Sequence, residues 1–257
     1  MNLAHARKLI AEARAIAVLT GAGISAESGV PTFRAPGGLW RQFKPEDLAT
    51  PEAFARDPKL CWEWYNWRRG LLAAVQPNAG HAALAELERR SPAFTLITQN
   101  VDGLHQRAGS QNVLEIHGSI WLLRCTICAR EWTDLSPALS IPPLCQCDGL
   151  ARPGVVWFGE NLNPKIWTAA ERAVITCDVL LVVGTSAVVY PAAGLVPLAR
   201  SAGAKIVEVN LEATPLSHSV DYAFQESAGK LLPILLNAGS FSENRLTEPR
   251  PQGSDRE

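Results

Sequence analysis

Four cysteines in two close pairs are the residues of this chain whose spacing points most directly to a metal. The first pair is Cys125 and Cys128, the second is Cys145 and Cys147, and 16 residues separate the pairs. Paired thiolates on tight turns at this spacing are typical of a tetrahedral zinc site. Four protein ligands leave no position for water, so the predicted zinc is structural and not catalytic. The alternative is two chance pairs of reduced thiols.

A glycine-rich turn near the N-terminus has the composition of a phosphate-binding loop. It follows the apolar run 15–19, and Gly21, Gly23 and Ala26 satisfy the dinucleotide-binding pattern G-x-G-x-x-G/A. Glycine lets backbone N–H groups approach a phosphate closely. A dehydrogenase would continue to a second strand with an acid about 20 residues further on. This chain instead enters a Pro- and Gly-rich loop that carries Arg34, which predicts a cofactor used for something other than hydride transfer.

Two further apolar runs end in residues with catalytic side chains. Asn100 and Asp102 follow the run 94–97, and His117 follows the run 113–116. Open α/β sheets bind ligands at the carboxyl ends of their strands, where amides and carboxylates hold a ribose or carboxamide and an imidazole moves a proton near pH 7. Two plainer interpretations stay open: His117 as a hydrogen-bonded turn residue, and Asn100 and Asp102 as caps of the following helix.

Apolar runs alternate with helical patterns along most of the chain, which predicts a doubly wound α/β sheet. The predicted strands are 15–20, 94–98, 113–116, 154–157, 179–183 and 205–209, and the predicted helices include 3–13, 81–89, 101–108 and 191–201. Two segments interrupt the alternation, a Trp-rich helical segment at 48–75 and the cysteine-bearing segment 121–152. We interpret both as excursions that form a small second lobe.

Composition excludes several classes of partner. The chain has 257 residues, is 47% hydrophobic and carries a formal net charge of −1, so it can bury a full core and has no broad attraction to nucleic acid or anionic membranes. No apolar run approaches the roughly 18 residues that cross a bilayer. Residues 1–15 have an amphipathic helical pattern and not that of a secretory signal. We expect a soluble cytoplasmic protein that binds neither nucleic acid nor membranes.

The motifs taken together resemble those of the sirtuins, which are NAD-dependent protein-lysine deacylases. They are GAGIS at 21–25, GVPTFR at 29–34, TQNVD at 98–102, LH at 104–105, IHG at 116–118, GTS at 184–186 and the cysteine pairs. Several motifs in this order, from about residue 15 to 236, are far more specific than any one of them. The family implies a Rossmann-like doubly wound parallel sheet, a small zinc-binding and helical lobe, and a cleft between them for NAD and an acyl-lysine peptide.

The resemblance also implies domain boundaries. The deacylase domain covers 1–237, with the large part at 1–34, 76–119 and 153–237 and the small lobe at 35–75 and 120–152. The tail, 238–257, is polar and nearly free of apolar residues, so we expect it to be disordered.

Carried over residue by residue, the resemblance assigns three groups of site residues. The catalytic residues are His117, as general base, and Asn100. The NAD contacts are Gly21, Ala22, Gly23, Ser25, Phe33, Arg34, Gln99, Asn100, Val101, Asp102, Gly184, Thr185, Ser186, Asn210, Leu211, Glu212 and Ala228. The segment that pairs with the substrate backbone, by adding a strand, is Val156, Trp157, Phe158, Gly159 and Glu160. The implied reaction consumes NAD, releases nicotinamide and moves the acyl group from lysine to ADP-ribose.

The Trp-rich helix indicates which acyl group is removed. Tyr65 and Arg68 are three residues apart and share a helix face. The planar fork of arginine binds a carboxylate through two hydrogen bonds, and tyrosine adds a donor. Spacing alone does not choose between Arg68 and Arg69, but the resemblance to the sirtuin branch that removes succinyl and malonyl groups selects Arg68. The alternative is an amphipathic helix with both arginines solvated.

Two other functions compete with protein deacylation. A mono-ADP-ribosyltransferase or NAD hydrolase on the same fold would use the same NAD residues without needing Tyr65 and Arg68. A non-catalytic zinc-ribbon binding module would need only the cysteines, and the near-zero net charge argues against nucleic acid as its partner.

Overall fold

The chain forms one large parallel sheet and one small antiparallel sheet. A computed structural model of the protein describes residues 3–32 and 44–237. The strands are β1 (Ala15–Thr20), β2 (Ala93–Thr98), β3 (Val113–Glu115), β4 (Gly118–Cys125), β5 (Glu131–Thr133), β6 (Ala151–Val155), β7 (Val179–Val183), β8 (Lys205–Asn210) and β9 (Tyr222–Gln225). The helices are α1 (Leu3–Glu12), α2 (Gly23–Ala26), α3 (Pro45–Leu48), α4 (Pro51–Arg56), α5 (Pro58–Ala74), α6 (Ala79–Arg90), α7 (Leu104–Arg107), α8 (Pro164–Thr176), α9 (Leu195–Ser201, after a 3₁₀ turn at Ala192–Gly194) and α10 (Ala228–Leu236).

The large sheet has the strand order β3-β2-β1-β7-β8-β9, and every neighbouring pair is parallel. The chain winds outward from β1 to β2 and β3 on one side, and later from β7 to β8 and β9 on the other. The winding direction therefore reverses between β1 and β7, which opens a crevice at their carboxyl ends. This topology confirms the predicted doubly wound, Rossmann-like sheet.

Helices cover both faces of this sheet, and β7 shows why its sequence is continuously apolar. Val179, Leu181 and Val183 pack into the cluster that contains α1, α6 and α10. Leu180 and Val182 pack into the opposite cluster, with α8 and α9. Alternate side chains of one strand thus enter two separate cores, so neither face tolerates a polar residue.

The small lobe joins helices α3 to α5 to the sheet β5-β4-β6. Helix α5 begins with a proline in its first turn, and the Asp57 side chain accepts the backbone N–H of Leu60 at 2.9 Å, an N-cap that fixes where the helix starts. Trp62 is fully buried and donates its indole N–H to the carbonyl oxygen of Ala151 at 2.8 Å. This bond ties α5 to β6 and sets the direction in which Tyr65 points.

Several predicted elements differ from the structure. The strand predicted at 154–157 is β6, three residues earlier, and it pairs antiparallel with β4 in the small sheet, because a short apolar run does not reveal which sheet it joins. The helix predicted at 101–108 is reduced to Leu104–Arg107 because Gly103 has a φ of +75°, which interrupts right-handed helical winding. The predicted strands did not include β4, β5 or β9, and the helices named did not include α8 or α10.

Parts of the prediction fall outside the residues that the structure describes. These are Phe33, Arg34 and the tail at 238–257. The exact boundaries between the two lobes stay a prediction. Within the described ranges, no helix has both the length and the apolarity to cross a bilayer.

Candidate active site

A cavity of about 670 Å³ lies at the carboxyl ends of β1, β2, β7 and β8, against the small lobe. This is where the reversal of winding opens the crevice, and the size suits a small-molecule ligand. The predicted site residues that line it are Gly21, Ala22, Gly23, Tyr65, Arg68, Gln99, Asn100, Val101, His117, Val156, Trp157, Phe158, Gly159, Glu160, Gly184, Thr185, Ser186, Asn210, Leu211 and Glu212.

Three predicted NAD contacts within the described residues do not line this cavity. Ser25 and Asp102 are 0% and 5% exposed. Ser25 accepts a hydrogen bond from Asn100 of the cavity wall, and Asp102 accepts one from Ser25 behind it. Ala228 is buried in the main core at the first residue of α10. A sequence motif contains both the residues that line a cavity and the residues that support them from behind. The motif alone does not distinguish the two kinds.

The two glycines of the first turn use their own N–H groups to bind β7. Gly21 donates to the carbonyl oxygen of Val183 at 3.1 Å, and Gly23 donates to the carbonyl oxygen of Gly184 at 2.8 Å. The sequence predicted that backbone N–H groups of this turn approach a phosphate, without naming which ones. The N–H groups of Gly21 and Gly23 join the turn after β1 to the turn after β7.

Three other backbone N–H groups at the cavity are available to bind a ligand. Within the described ranges, the amides of Ala22, Thr185 and Ser186 have no hydrogen-bond acceptor, and all three residues line the cavity. Backbone donors need a partner. An anion such as a phosphate satisfies several of them at once.

The side chains of Gln99 and Asn100 are fixed by their nitrogen atoms. Gln99 Nε2 donates to Thr185 Oγ1 at 2.8 Å. Asn100 Nδ2 donates to the carbonyl oxygen of Gly21 at 3.1 Å and to Ser25 Oγ at 3.2 Å. The amide oxygens accept no hydrogen bond from the described part of the chain. They are therefore acceptors for donors on a ligand.

A buried chain of hydrogen bonds supports Asn100 from behind. The backbone N–H of Asn78 donates to His81 Nδ1 at 3.3 Å, so His81 carries its proton on Nε2, 3.4 Å from Ser25 Oγ. Ser25 Oγ donates to Asp102 Oδ2 at 2.8 Å. Burial lowers the pKa of His81 to about 4, so the ring is neutral at pH 7. Such a network stays rigid only while every member is satisfied.

Asp102 also has part of the plainer role that its position suggested. Its Oδ1 accepts the backbone N–H of Leu104 at 2.9 Å, at the start of α7. Burial raises the pKa of Asp102, although the bonds from Leu104 and Ser25 oppose that change. The carboxyl group is thus both a helix cap and a support of the cavity wall.

His117 is oriented by a backbone carbonyl. Its Nδ1 lies 3.1 Å from the carbonyl oxygen of Gln99, and because a carbonyl only accepts, Nδ1 carries the proton in the neutral ring. Nε2 then has the lone pair that a general base needs. The next residue, Gly118, has a φ of +74°, and a Cβ there would lie 2.1 Å from the carbonyl oxygen of Gly154. His117 is therefore a hydrogen-bonded turn residue, which is the plainer of the two interpretations. The same hydrogen bond leaves Nε2 unprotonated, as a general base requires.

Tyr65 presents a hydroxyl hydrogen at the small-lobe end of the cavity. It is 2% exposed, and its Oη accepts the indole N–H of Trp157 at 2.8 Å. Within the described residues nothing accepts the hydroxyl hydrogen. Burial raises the pKa of Tyr65 to about 12, so the group is a donor at any physiological pH.

The structure separates the two neighbouring arginines of α5. Arg68 is 8% exposed and lines the cavity, with its guanidinium carbon 4.9 Å from the centroid of the Trp64 ring. Arg69 is fully buried inside the small lobe, where it donates to the carbonyl oxygens of Ile120 and Asp134, each at 2.7 Å. Arg68 is therefore the cation beside Tyr65, whereas Arg69 holds the lobe together.

The four paired cysteines form a separate centre. Their sulfur atoms all lie within 4.8 Å of one another, with Cys125 Sγ 3.5 Å from Cys147 Sγ and Cys128 Sγ 3.7 Å from Cys145 Sγ. A tetrahedral zinc with Zn–S bonds of about 2.3 Å places its sulfurs about 3.8 Å apart. The cluster therefore fits one zinc ion bound by protein alone, and it does not line the cavity.

The sequence prediction missed two loop segments of the cavity wall, 188–191 and 213–215. Glu208 anchors the second segment, since its carboxylate accepts the hydroxyls of Thr214 at 2.5 Å and Ser217 at 2.6 Å. Glu208 is 2% exposed in an otherwise apolar strand. A lone acid in such a strand is the signal that would have indicated a polar loop folding back onto it.

Comparisons with known proteins agree with this geometry. Residues 21–191 match the model of the Sir2 family. "NAD-dependent protein deacylase 2" of Pyrobaculum aerophilum is 54% identical over 92% of this chain and 94% of its own length. "NAD-dependent protein deacylase sirtuin-5, mitochondrial" of Canis lupus familiaris is 46% identical over 91% of this chain and 85% of its own length.

A solved structure of a mutant Sir2 homologue in complex with ADP-ribose superposes on this chain with a TM-score of 0.88. It is 47% identical and covers 92% of this chain and 95% of its own. This chain belongs to the Sir2 family, which confirms the resemblance to the sirtuins.

Proposed function

We propose that this protein is an NAD-dependent protein-lysine deacylase. The observation that carries the proposal is that one cavity holds three kinds of group. These are unused backbone donors at strand ends, a histidine whose basic nitrogen is set by a carbonyl, and a buried Tyr–Arg pair. Relatives that share about half of the sequence over nearly its whole length are named as NAD-dependent protein deacylases, which supports the same conclusion.

NAD is a substrate of this reaction, and the strand-end turns would hold it. The phosphates would accept from the amides of Ala22, Thr185 and Ser186. Gln99 and Asn100 would accept from the ribose hydroxyls or the carboxamide. Asn210, Leu211 and Glu212 would lie along the adenosine ribose; Asn210 is already held by a 3.0 Å bond from its Nδ2 to the carbonyl oxygen of Thr185.

The remaining predicted NAD contacts complete this assignment. Gly21, Gly23, Val101 and Gly184 would shape the wall, and Ser25 and Asp102 would support Asn100. Phe33, Arg34 and Ala228 stay predictions from the resemblance.

The reaction that the family resemblance implies is consistent with these placements. The acyl-lysine carbonyl oxygen attacks the anomeric carbon of the nicotinamide ribose, and the bond to nicotinamide breaks. His117 Nε2 then removes the proton of a ribose hydroxyl, whose oxygen attacks the former carbonyl carbon. Water enters and the lysine amine leaves, so the products are nicotinamide, free lysine and O-acyl-ADP-ribose. A positioned general base accelerates such a step by about 10²–10⁴-fold.

The preferred acyl groups would be those that end in a carboxylate, such as succinyl and malonyl, with acetyl as a further substrate. Arg68 offers a planar cation and Tyr65 an O–H donor at the same end of the cavity. A carboxylate bound by both exchanges its hydration for charge-assisted hydrogen bonds. The substrate backbone would add as a strand to Val156–Gly159, where Val156 is anchored by its N–H to the carbonyl oxygen of His117 at 2.9 Å.

The protein substrate and the compartment belong to the same proposal. Acyl-lysine proteins are the expected partners. The cytoplasmic location predicted from the sequence is supported by six cysteines that form no disulfide among the described residues. The mono-ADP-ribosyltransferase, NAD hydrolase and zinc-ribbon alternatives are not favoured by the comparisons.

The test is a comparison of acetyl-, malonyl- and succinyl-lysine peptides with NAD on the wild type and on Arg68→Met. We expect kcat/KM for the two acids to fall about 10–100-fold relative to acetyl-lysine, the loss of a charged hydrogen-bond partner. Arg69→Lys is the matched control, since Arg69 is a buried arginine on the same helix outside the cavity, and its ratio should stay near that of the wild type. Equal losses for all three peptides in Arg68→Met would contradict the acyl preference.

A further inference from the structure

Arg152, which is buried, and Glu160, which is partly exposed, form an ion pair next to the acyl end of the cavity. Arg152 is 8% exposed. Its Nη1 donates to Glu160 Oε1 at 2.5 Å and its Nη2 donates to Glu160 Oε2 at 2.8 Å. Nη2 also donates to the carbonyl oxygen of Val155 at 3.0 Å. Two parallel bonds from the arginine fork fix the orientation of the carboxylate as well as its distance.

The ion pair holds Trp157 in two ways. The guanidinium carbon of Arg152 lies 3.5 Å from the centroid of the Trp157 ring, a close stack of the planar cation on the indole. Glu160 Oε2 accepts the backbone N–H of Trp157 at 2.9 Å. The Phe54 ring packs on the same indole, with centroids 5.3 Å apart. Both the backbone and the ring of Trp157 are therefore fixed.

Trp157 passes this constraint to Tyr65 through one bond. An indole has a single N–H, and that of Trp157 donates to Tyr65 Oη at 2.8 Å. A phenol hydroxyl that accepts from a fixed donor cannot turn its hydrogen toward that donor. The remaining direction for the hydrogen of Tyr65 is toward the cavity that Tyr65 lines.

The pair is charged at neutral pH. Burial acts to raise the pKa of Glu160, but the bonds from Arg152 and from the backbone of Trp157 outweigh it, so the pKa lies below its ordinary value. An ion pair of this kind is weak evidence of a large contribution to stability, because the desolvation of the buried Arg152 offsets part of the attraction. Stability alone therefore does not account for a charged pair in this place.

We propose that Arg152 and Glu160 are positioning residues for the acyl group. They act through Trp157 on the hydroxyl of Tyr65, and they thereby set the preference for acyl groups that end in a carboxylate. The inference rests on the proposed function, because it concerns the acyl end of the same cavity. It gives Glu160 a role through its carboxylate that differs from the contact with substrate backbone predicted from the sequence.

Two conservative variants test the pair itself. Arg152→Lys keeps the charge but removes the fork and the planar stack, and Glu160→Gln keeps the shape but removes the charge. Each should raise the KM for succinyl-lysine peptide about 3–10-fold relative to the KM for acetyl-lysine peptide, as expected for one weakened hydrogen bond, with a smaller effect on kcat. A purely structural role would change both substrates by the same factor, and that result would overturn the proposal.

A double-mutant cycle tests the path through Tyr65. Tyr65→Phe removes the hydroxyl on which the path ends. In that background, Arg152→Lys should cause no further change in the succinyl-to-acetyl ratio of kcat/KM, because residues of one network are non-additive. Independent, multiplying effects would show that the pair does not act through Tyr65.

A readout without turnover separates this inference from the proposed function. The exchange rate of the Trp157 indole N–H with solvent, measured by NMR on the full chain and assigned with Trp157→Phe, should rise at least tenfold in Arg152→Lys and in Glu160→Gln. An unchanged rate would overturn the positioning role even in an active enzyme. If the exchange rate rises in both variants but the wild-type protein does not deacylate, the proposed function is refuted. The coupling of Arg152 and Glu160 to Trp157 then still stands.

Discussion

A Cβ atom at Gly23 would lie 2.7 Å from the carbonyl oxygen of Gly184, and one at Gly184 would lie 2.3 Å from the backbone nitrogen of Ile24. The turns after β1 and β7 thus meet backbone to backbone, and Gly184 also has a φ of +59°. Only glycine fits at these two positions, because any side chain would prevent the close approach of the two turns. That approach brings the strand ends together as the floor of the cavity. The glycine motif indicated the correct location, and the approach of backbone N–H groups of this turn to a phosphate stays a prediction.

Gly23→Ala should lower both the stability and the affinity for NAD. The atoms that a methyl group would meet are backbone atoms, so one of the two turns must move, and the amide of Ala22 moves with it. Thermal denaturation and the KM for NAD measure the two effects. Gly70→Ala is the matched control, because a Cβ at Gly70 on α5 meets nothing within 4 Å. This substitution should stabilise the helix by about 0.5–1 kcal/mol. A Gly23→Ala protein with normal stability and normal KM would contradict the packing role.

His117→Asn should reduce kcat for deacylation by about 10²–10⁴-fold. The asparagine amide nitrogen can take the place of Nδ1 on the carbonyl oxygen of Gln99, so the turn keeps its hydrogen bond while the basic nitrogen is lost. The melting temperature should therefore stay close to that of the wild type. Turnover within a few fold of normal in a folded His117→Asn protein would exclude His117 as the base.

Stability should fall in mild acid because His81 is buried in its neutral form. Its folded pKa of about 4 lies below the ordinary 6.5, so the unfolded chain binds the proton first as the pH falls. The contribution is fully present above pH 6.5 and is lost between pH 6.5 and 4. His105, with a pKa lowered by burial to about 3, acts in the same direction.

Urea denaturation at pH 7.5 and pH 5.0 measures this loss. The variant His81→Gln keeps one donor and one acceptor but does not titrate. Between the two pH values its free energy of unfolding should fall by about 2 kcal/mol less than that of the wild type. Glu115 acts in the opposite direction, since burial raises its pKa to about 7, but it is common to both proteins and cancels in the comparison. An identical pH dependence in wild type and His81→Gln would contradict the neutral buried state.

The cysteine cluster should bind about one zinc per chain, with a structural effect. A strong chelator should lower the melting temperature, because the binding energy of a structural zinc is folding energy. Cys145→Ser should lose the metal. Cys177→Ala should keep it, since Cys177 packs in the hydrophobic cluster with α8 and α9 and is not one of the four clustered cysteines. Elemental analysis of both variants decides the matter, and a metal-free wild type of unchanged stability would refute the site.

The sequence predicts most accurately where one local pattern determines the outcome. Strand β7 is predicted with the bounds that the structure shows, since five consecutive apolar residues are typical of a parallel strand buried on both faces. The cysteine cluster is predicted equally well, because thiolate spacing directly reflects the geometry of a metal. The cavity residues after β2 follow from the rule that open α/β sheets bind ligands at the carboxyl ends of their strands. Those after β1 came from the glycine motif, and those after β7 came from the family resemblance.

The remainder depends on tertiary contacts that no local pattern encodes. Spacing along α5 does not separate Arg68 from Arg69, because both share a face with Tyr65. The family resemblance selected Arg68, and the packing of Arg69 against Asp134 and Ile120 distinguishes the two in the structure. It assigns Ala228 to the cofactor, although that residue lies in the core. The path from Arg152 to Tyr65 links β6 and α5 across a large sequence separation, so it has no signature in either segment.

The products of a single reaction test directly whether this protein removes succinyl groups from lysine at the expense of NAD. Wild-type protein, NAD and a succinyl-lysine peptide are incubated, and nicotinamide, free-lysine peptide and O-succinyl-ADP-ribose are quantified together. We expect the three products to form in equal amounts and none of them to form without NAD. Nicotinamide release accompanied by ADP-ribosylated protein or free ADP-ribose, with the peptide still acylated, would contradict it.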